Sequence, residues 1–87
     1  MKKVVIITGA SSGLGKELVK LYFQKNYSLV LSGRNQNGFE EFKNKENVDV
    51  VLGDLVKKET LDKIEYIIKE KYKRVDILIN NAGVTYI

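Results

Sequence analysis

Four short apolar runs alternate with amphipathic stretches along this 87-residue chain, and that alternation constrains the fold more than any other feature. The runs are rich in β-branched residues, as strands are, and lie at Val4–Ile7, Ser28–Ser32, Val48–Leu52 and Asp76–Ile79. Strands that alternate with helices pair in parallel, because each helix returns the chain to the same edge of the sheet. The sequence therefore predicts an α/β fold built around a parallel sheet.

Helical periodicity between the first two runs predicts a helix from Gly13 to about Lys25. Asn26 is well placed to end this helix in a left-handed conformation. The apolar stripe of the helix is expected at Leu14, Leu18, Leu21 and Tyr22.

The other two helical stretches differ in strength. A short, weak helix is expected from Asn37 to Lys45, with Phe39 and Phe42 as its apolar contacts. A strong helix is expected from Lys58 to Tyr72. Its apolar stripe is expected at Leu61, Ile64, Ile68 and Tyr72.

The handedness of the crossovers predicts how these elements assemble. Right-handed crossovers give strand order 3-2-1-4, with the first two helices on one face and the third on the other. The order reverses between strands 1 and 4, and open parallel sheets bind ligands at such a point, beyond the carboxyl ends of the strands. Because the polar segments 8–15 and 80–83 follow these two strands, we expect a truncated doubly wound sheet with its ligand site between them.

Composition excludes several kinds of chemistry. The chain has no cysteine and no histidine, which excludes disulfides, thiolate nucleophiles, histidine bases and ordinary zinc sites, and no metal site is predicted. The net charge of +4 is spread along the chain without a basic cluster, which argues against a nucleic-acid partner. No apolar run has the roughly 18 residues of a membrane span. The apolar run after Lys3 is too short for a signal peptide, so the expected setting is the cytoplasm.

The segment Thr8–Gly15, called the glycine turn below, lies between strand 1 and helix 1. A dinucleotide pyrophosphate needs a tight turn that aims a helix N-terminus at it, without side chains where backbone meets ligand. Gly9 suits the tight turn, Gly13 the approach of the ligand and Gly15 the close packing of helix on strand. A strand–turn–helix that uses glycine for tightness alone is the alternative.

The glycine turn does not match a P-loop, although Gly15-Lys16 is part of that pattern. A P-loop needs glycine where Ala10 stands and serine or threonine where Glu17 stands. No acidic residue precedes Glu17 in the helix, so the positive end of the helix dipole is available to an anion, an effect worth about 0.3–1 kcal/mol. The expected phosphate donors are the backbone N–H groups around Leu14.

Three motifs stand at the ends of predicted strands. The glycine turn has the spacing Thr-Gly-x3-Gly-x-Gly, Gly53-Asp54-Leu55 follows strand 3, and Asn80–Gly83 reads Asn-Asn-Ala-Gly after strand 4. Together they resemble the motifs of the short-chain dehydrogenase/reductase family, and the resemblance covers essentially the whole chain. It implies a Rossmann-type NAD(P)-binding domain of an oxidoreductase that acts on a carbonyl or a secondary alcohol.

The resemblance implies a role for each matching position. Leu14 contacts the pyrophosphate through its backbone, and Asp54 bonds the adenine amino group with Leu55 beside the ring. Asn81–Gly83 line the adenosine ribose, while Asn80 helps to lock the central strands. The alternatives are that Asp54 only caps the turn before the next helix, and that Asn80 and Asn81 only form hydrogen bonds with backbone groups at the end of the strand. The predicted cofactor-binding residues are Gly9, Ser11, Ser12, Gly13, Leu14, Gly15, Arg34, Asn35, Asp54, Leu55, Asn81, Ala82 and Gly83.

The segment after strand 2 predicts which cofactor is bound. A site selective for NAD places an acid on the ribose 2′-hydroxyl about 20 residues past the glycine motif, whereas this segment reads Ser32-Gly33-Arg34-Asn35. The Arg34 guanidinium suits a 2′-phosphate, and Ser12 and Asn35 offer further hydrogen bonds. NADP(H) is therefore predicted over NAD(H), with a solvated surface arginine as the alternative.

The catalytic residues that the resemblance implies, a serine and a Tyr-x3-Lys pair, are not found. None of the five tyrosines has a lysine four places on. Residues 1–87 are therefore expected to be the N-terminal, cofactor-binding part of a longer enzyme, without catalytic residues of their own. Strand 4 would then be an edge strand, which predicts a homo-oligomer formed through it. The second hypothesis is a non-enzymatic nucleotide-binding or interaction module that is complete at this length and monomeric.

Overall fold

The computed structural model describes residues 2–11, 13–55 and 57–81, which form a four-stranded parallel sheet flanked by helices. The strands are β1 (Val4–Thr8), β2 (Ser28–Gly33), β3 (Val48–Leu52) and β4 (Ile77–Asn80). They are arranged in the order β3-β2-β1-β4. The predicted α/β class, strand order and reversal between β1 and β4 are confirmed. None of the helices in the described part of the chain has the length and apolar composition that crossing a bilayer requires.

Two α-helices connect the strands, α1 (Gly13–Gln24) and α2 (Lys58–Ile67). Asn26 has a φ of 66° and ends α1 in the left-handed conformation predicted for it. A π-helical turn, Ile68–Tyr72, continues α2. The Tyr72 hydroxyl donates to Asp49 Oδ2 at 2.6 Å and so ties this π turn to β3. Burial, and after it this hydrogen bond, raises the pKa of Tyr72 above its usual range.

The helix predicted for Asn37–Lys45 is wrong. The chain forms a short 3₁₀ helix, Gln36–Phe39, and then turns as far as residue 44. The physical reason is composition, because Gly38 and the asparagines of this segment favour turns over a continuous helix. The two predicted apolar contacts are nevertheless present, since Phe39 and Phe42 are buried.

Successive side chains of each strand point to opposite faces of the sheet and form two apolar clusters. The larger cluster lies on the face that carries α1 and the 3₁₀ helix, and its buried members are Val5, Ile7, Ala10, Val19, Leu29, Leu31, Phe39, Phe42 and Val48. The smaller cluster is Val4, Ile6 and Val30, and α2 and its π turn cover it with Ile64, Ile67, Ile68 and Tyr72. The predicted placement of helices on both faces is therefore confirmed.

The predicted apolar stripes of α1 and α2 are each wrong in part. Leu14 and Leu21 are 66% and 44% exposed, whereas Val19 is buried. Leu14 lies in the first turn of α1, beyond the carboxyl end of β1. In α2, Leu61 is 49% exposed, whereas Thr60 is buried beside Gly53, which follows β3. Sequence spacing finds the apolar side of a helix to within about one residue, and packing decides the final rotation.

Candidate functional site

The glycine turn joins β1 to α1 at the carboxyl edge of the sheet, beside the reversal between β1 and β4. Gly9 and Gly13 have φ values of 61° and 58°, a conformation that residues with side chains rarely adopt. Apart from its own helix and chain neighbours, no described residue lies within 4 Å of where a Cβ atom at Gly13 would stand, so the backbone there faces open space. The first turn of α1 contains no acidic residue. A helix N-terminus of this kind offers unpaired backbone N–H groups and positive potential to an anion.

Gly15 is buried where α1 comes closest to the end of β1. A Cβ atom there would overlap the Gly9 carbonyl oxygen and lie 2.8 Å from Asn81 Nδ2. A backbone carbonyl cannot move aside as a flexible side chain can. Glycine is therefore required for the close packing of helix on strand that the sequence predicts at this position.

Thr8 connects the end of β1 with the end of β4, its neighbour in the sheet. The Thr8 hydroxyl donates to Asn80 Oδ1 at 3.0 Å and accepts from the Asn81 backbone N–H at 2.9 Å. Asn81 Nδ2 donates to the Gly9 carbonyl at 3.1 Å. The predicted locking of the central strands by Asn80 is confirmed, and Asn81 anchors the glycine turn as well.

Thr8 is not among the predicted site residues, although it supports them. Its signal in the sequence is positional. Thr8 and Asn80 are each the last residue of adjacent parallel strands, and in the parallel register they stand opposite one another. Their side chains therefore meet on the same face of the sheet.

Arg34 and Asn35 follow β2 at the same edge of the sheet, and both side chains are exposed. Asn35 Oδ1 accepts from the Asn37 backbone N–H at 3.0 Å, so the Nδ2 group is left as a donor. Across residues 2–11, 13–55 and 57–81, no ion pair engages the Arg34 guanidinium. The neighbouring Ser32 is 1% exposed, and its Oγ has no hydrogen-bond partner within those ranges.

The structure brings most of the predicted site residues to one edge of the sheet. Asp54 and Leu55 follow β3 and are half-buried, and the Asp54 carbonyl accepts from the Lys57 N–H at 2.9 Å in a turn ahead of α2. Three predicted residues, Ser12, Ala82 and Gly83, lie outside the described residues. The others follow the carboxyl ends of the four strands and are Gly9, Ser11, Gly13, Leu14, Gly15, Arg34, Asn35, Asp54, Leu55 and Asn81.

A groove of about 470 Å³ lies elsewhere, between β3 and α2. It is lined by Val50, Val51, Leu52, Asp62, Lys63, Tyr66 and Ile67. None of these is a predicted site residue. The candidate site is therefore characterised by backbone geometry and hydrogen-bond donors rather than by this groove.

The sequence of this chain is similar to those of dehydrogenases and other oxidoreductases. The family model described as short chain dehydrogenase matches residues 3–87. An uncharacterized oxidoreductase of Staphylococcus aureus is 33% identical over 84 residues, which make up 93% of this chain and 36% of that protein. The chain thus spans about a third of the length of the curated relatives it matches.

Solved structures agree with the sequence comparison. A short chain dehydrogenase from Bacillus anthracis superposes with a TM-score of 0.82 at 36% identity, over 98% of this chain and 37% of that one. The L-sorbose reductase of Gluconobacter frateurii, solved with NADPH and L-sorbose, superposes with a TM-score of 0.78 at 28% identity. That match covers 98% of this chain and 35% of the reductase.

Proposed function

The chain belongs to the short-chain dehydrogenase family, and we propose that it binds the adenosine diphosphate half of NADP(H) for an oxidoreductase. Residues 1–87 are the N-terminal part of a Rossmann-type domain in this proposal. The observation that carries it is the glycine turn, where Gly13 opens the backbone at the N-terminus of α1 and no acid stands in the first turn.

The residues present fit a dinucleotide. The turn at Gly9–Gly15 receives the pyrophosphate through backbone N–H groups around Leu14, and the open space at Gly13 admits it. Asp54 and Leu55 hold the adenine, and Asn81–Gly83 line the adenosine ribose. When bound, the nicotinamide supplies hydride transfer, and the residues of this chain bind and orient the other end of the cofactor.

The selection of NADP(H) over NAD(H) is assigned to Arg34, with Asn35 and Ser12. The segment has no carboxylate to bond a ribose 2′-hydroxyl, and the exposed guanidinium of Arg34 is not engaged by an ion pair within the described ranges. A guanidinium is suited to a phosphate because its planar N–H groups bond two oxygens at once. The reductase solved with NADPH is consistent with this choice.

Replacement of Arg34 by aspartate tests the choice of cofactor. We expect Arg34→Asp to weaken NADP(H) binding about 10-fold to 100-fold, because one or two charge-assisted hydrogen bonds are exchanged for repulsion. NAD(H) binding should be retained or improved, since a carboxylate at this position accepts from the 2′-hydroxyl. Titration with both cofactors, followed by nucleotide fluorescence, measures the two affinities.

Lys43→Asp is the matched control for this change. Lys43 is an exposed cation of the same segment, so the variant makes the same change in net charge away from the proposed site. It should leave the ratio of the two affinities unaltered. If Arg34→Asp binds NADP(H) as tightly as the wild type does, the assignment of cofactor selection to Arg34 is wrong.

We further propose that the whole protein is a cytoplasmic reductase or dehydrogenase acting on a carbonyl or a secondary alcohol. This chain holds the cofactor, and the catalytic serine, tyrosine and lysine belong to the remainder of the enzyme. For residues 1–87 taken by themselves, we also propose self-association through β4, because among the described residues β4 pairs only with β1.

A further inference from the structure

Ser11 of the glycine turn lies against two glycines, Gly33 at the end of β2 and Gly38 in the segment that follows β2. A Cβ atom at Gly38 would overlap the Ser11 carbonyl oxygen and lie 2.7 Å from Ser11 Cβ. A Cβ atom at Gly33 would lie 2.9 Å from Ser11 Oγ and 2.9 Å from the ring of Phe39. The backbone of the turn and the backbone of this segment are therefore in direct contact.

The contact at Gly38 is a matter of space and not of backbone conformation. Gly38 does not have a positive φ, so any residue can adopt its conformation. What a side chain would meet there is the carbonyl of Ser11, which is part of the backbone of the glycine turn. An added methyl group would have to push the two segments apart.

The same segment carries the residues proposed to select the cofactor. We call residues 34–39 the arm. The Gly38 N–H donates to the Asn35 carbonyl at 3.1 Å, Asn35 Oδ1 accepts from the Asn37 N–H at 3.0 Å, and Phe39 is buried in the larger cluster. The arm is thus a compact turn attached to the core at one end and resting on Ser11, with Arg34 and Asn35 between these attachments and the end of β2.

We propose that Gly38 is a positioning residue for cofactor selection, and the inference rests on the proposed binding of NADP(H). By letting the arm lie on Ser11, Gly38 places Arg34 and Asn35 at a constant separation from the glycine turn. A dinucleotide that bonds the turn through its pyrophosphate meets Arg34 only through its 2′-phosphate. Because charge-assisted hydrogen bonds need donor–acceptor distances of about 2.7–2.9 Å, displacement of the arm weakens the 2′-phosphate contact and spares the pyrophosphate contact.

Gly38→Ala tests this role, with Asn37→Ala as the matched control. Asn37 is exposed and belongs to the same 3₁₀ helix, and it contributes its backbone N–H to the described hydrogen bonds. We expect Gly38→Ala to bind NADPH about tenfold more weakly and NADH less than about threefold more weakly, the tenfold being the loss of one charge-assisted contact. Asn37→Ala should bind both nucleotides as the wild type does.

The outcomes of these titrations separate the inference from the proposed function. An equal loss of affinity for both nucleotides in Gly38→Ala, or no loss for either, overturns the role of Gly38 and leaves the proposed function standing. A wild-type protein that binds neither nucleotide overturns the proposed function and the inference with it.

A measurement on the wild-type protein keeps the inference testable if Gly38→Ala does not fold. Backbone amide resonances are followed while 2′,5′-ADP or 5′-AMP is added as the probe. We expect the Ser11 and Gly38 resonances to shift together and saturate at the same concentration of 2′,5′-ADP, and the Gly38 resonance to stay in place with 5′-AMP. A Gly38 resonance that responds equally to both probes, or to neither, contradicts the inference.

Discussion

At two positions the absence of a side chain brings two backbone segments into contact. Gly15 lets α1 meet the Gly9 carbonyl, and Gly38 lets the arm meet the Ser11 carbonyl. Neither glycine has a positive φ, so neither is required by its own backbone conformation. Both glycines determine how closely the elements around the proposed phosphate site approach one another, and this is a property of single residues.

Gly15→Ala is expected to destabilise the protein, although helix propensity alone would favour alanine. Alanine gains about 0.5–1 kcal/mol over glycine inside a helix. Forcing extra volume into a packed site costs about 1–3 kcal/mol, and here the added carbon overlaps the Gly9 carbonyl, which accepts a hydrogen bond from Asn81 Nδ2. The midpoint of chemical denaturation measures the net effect. Lys16→Ala, the adjacent and more exposed position, serves as the control, and a Gly15→Ala protein as stable as the wild type would refute the packing argument.

At the scale of elements, the short strand β4 is joined to β1 at both of its ends. At the carboxyl end the Thr8 hydroxyl bonds Asn80 and Asn81. At the amino end Asp76 accepts from the Val4 backbone N–H at 2.8 Å and from Arg74 Nε at 2.9 Å. These hydrogen bonds hold a four-residue strand in register where few ladder bonds are available.

The hydrogen bonds of Asp76 at the amino end of β4 predict how stability depends on pH. The hydrogen bond from Arg74, and then that from the Val4 N–H, lowers the pKa of Asp76 below its usual range. A carboxyl group whose pKa is lower in the folded state stabilises the fold above its unfolded-state pKa and loses this effect as pH falls through the folded-state pKa. We therefore expect Asp76→Asn to be less stable than the wild type at pH 7. The difference should shrink once the pH falls below about 4.

Urea denaturation of both proteins between neutral pH and about pH 2.5 measures this difference. Asp62→Asn is the control, since the Asp62 carboxylate pairs with Lys58 on the exposed face of α2 and such pairs contribute little. If the stability difference between wild type and Asp76→Asn stays constant down to the lowest pH, the charge of the Asp76 carboxylate does not stabilise the amino end of β4.

At the scale of the whole molecule, the two faces of β4 are covered unequally. Ile77 and Ile79 pack on the cluster beneath α1, whereas Leu78 faces the other way and is 63% exposed. On that second face α2 and its π turn cover Val4, Ile6 and Val30. An edge strand with an exposed apolar residue is a surface on which another strand can pair.

We expect the protein to self-associate as its concentration rises, and Leu78→Lys to reduce this, because a charged residue on an edge strand opposes pairing. Light scattering coupled to size exclusion measures the mass of both proteins over a range of concentrations. Leu21→Lys, at an exposed leucine of α1, is the control for added charge alone. A wild-type protein that remains monomeric at the highest concentration would contradict the proposed assembly and favour a monomeric binding module.

The sequence alone determined the strands, their order and the face on which each helix lies. Each of these follows from local or general rules: apolar runs such as Val48–Leu52 mark strands, and right-handed crossovers order them. It also identified Gly15 as a position of close packing and Asn26 as the residue that ends α1. Both lie near the ends of the predicted helix, where close packing on a strand needs glycine and a left-handed residue such as asparagine ends the helix.

Only the tertiary structure decided which residues of these elements meet. The exposure of Leu14, the turn that replaces the predicted second helix, and the contact of Gly38 with Ser11 depend on how helices rotate and loops settle against the sheet. The physical reason is that sequence spacing records periodicity along one element, whereas these contacts join residues whose separation along the chain carries no information about their distance in space. Gly38 and Ser11 stand apart in the sequence with β2 between them, and it is the packing of two loops at the carboxyl edge that brings their backbones together.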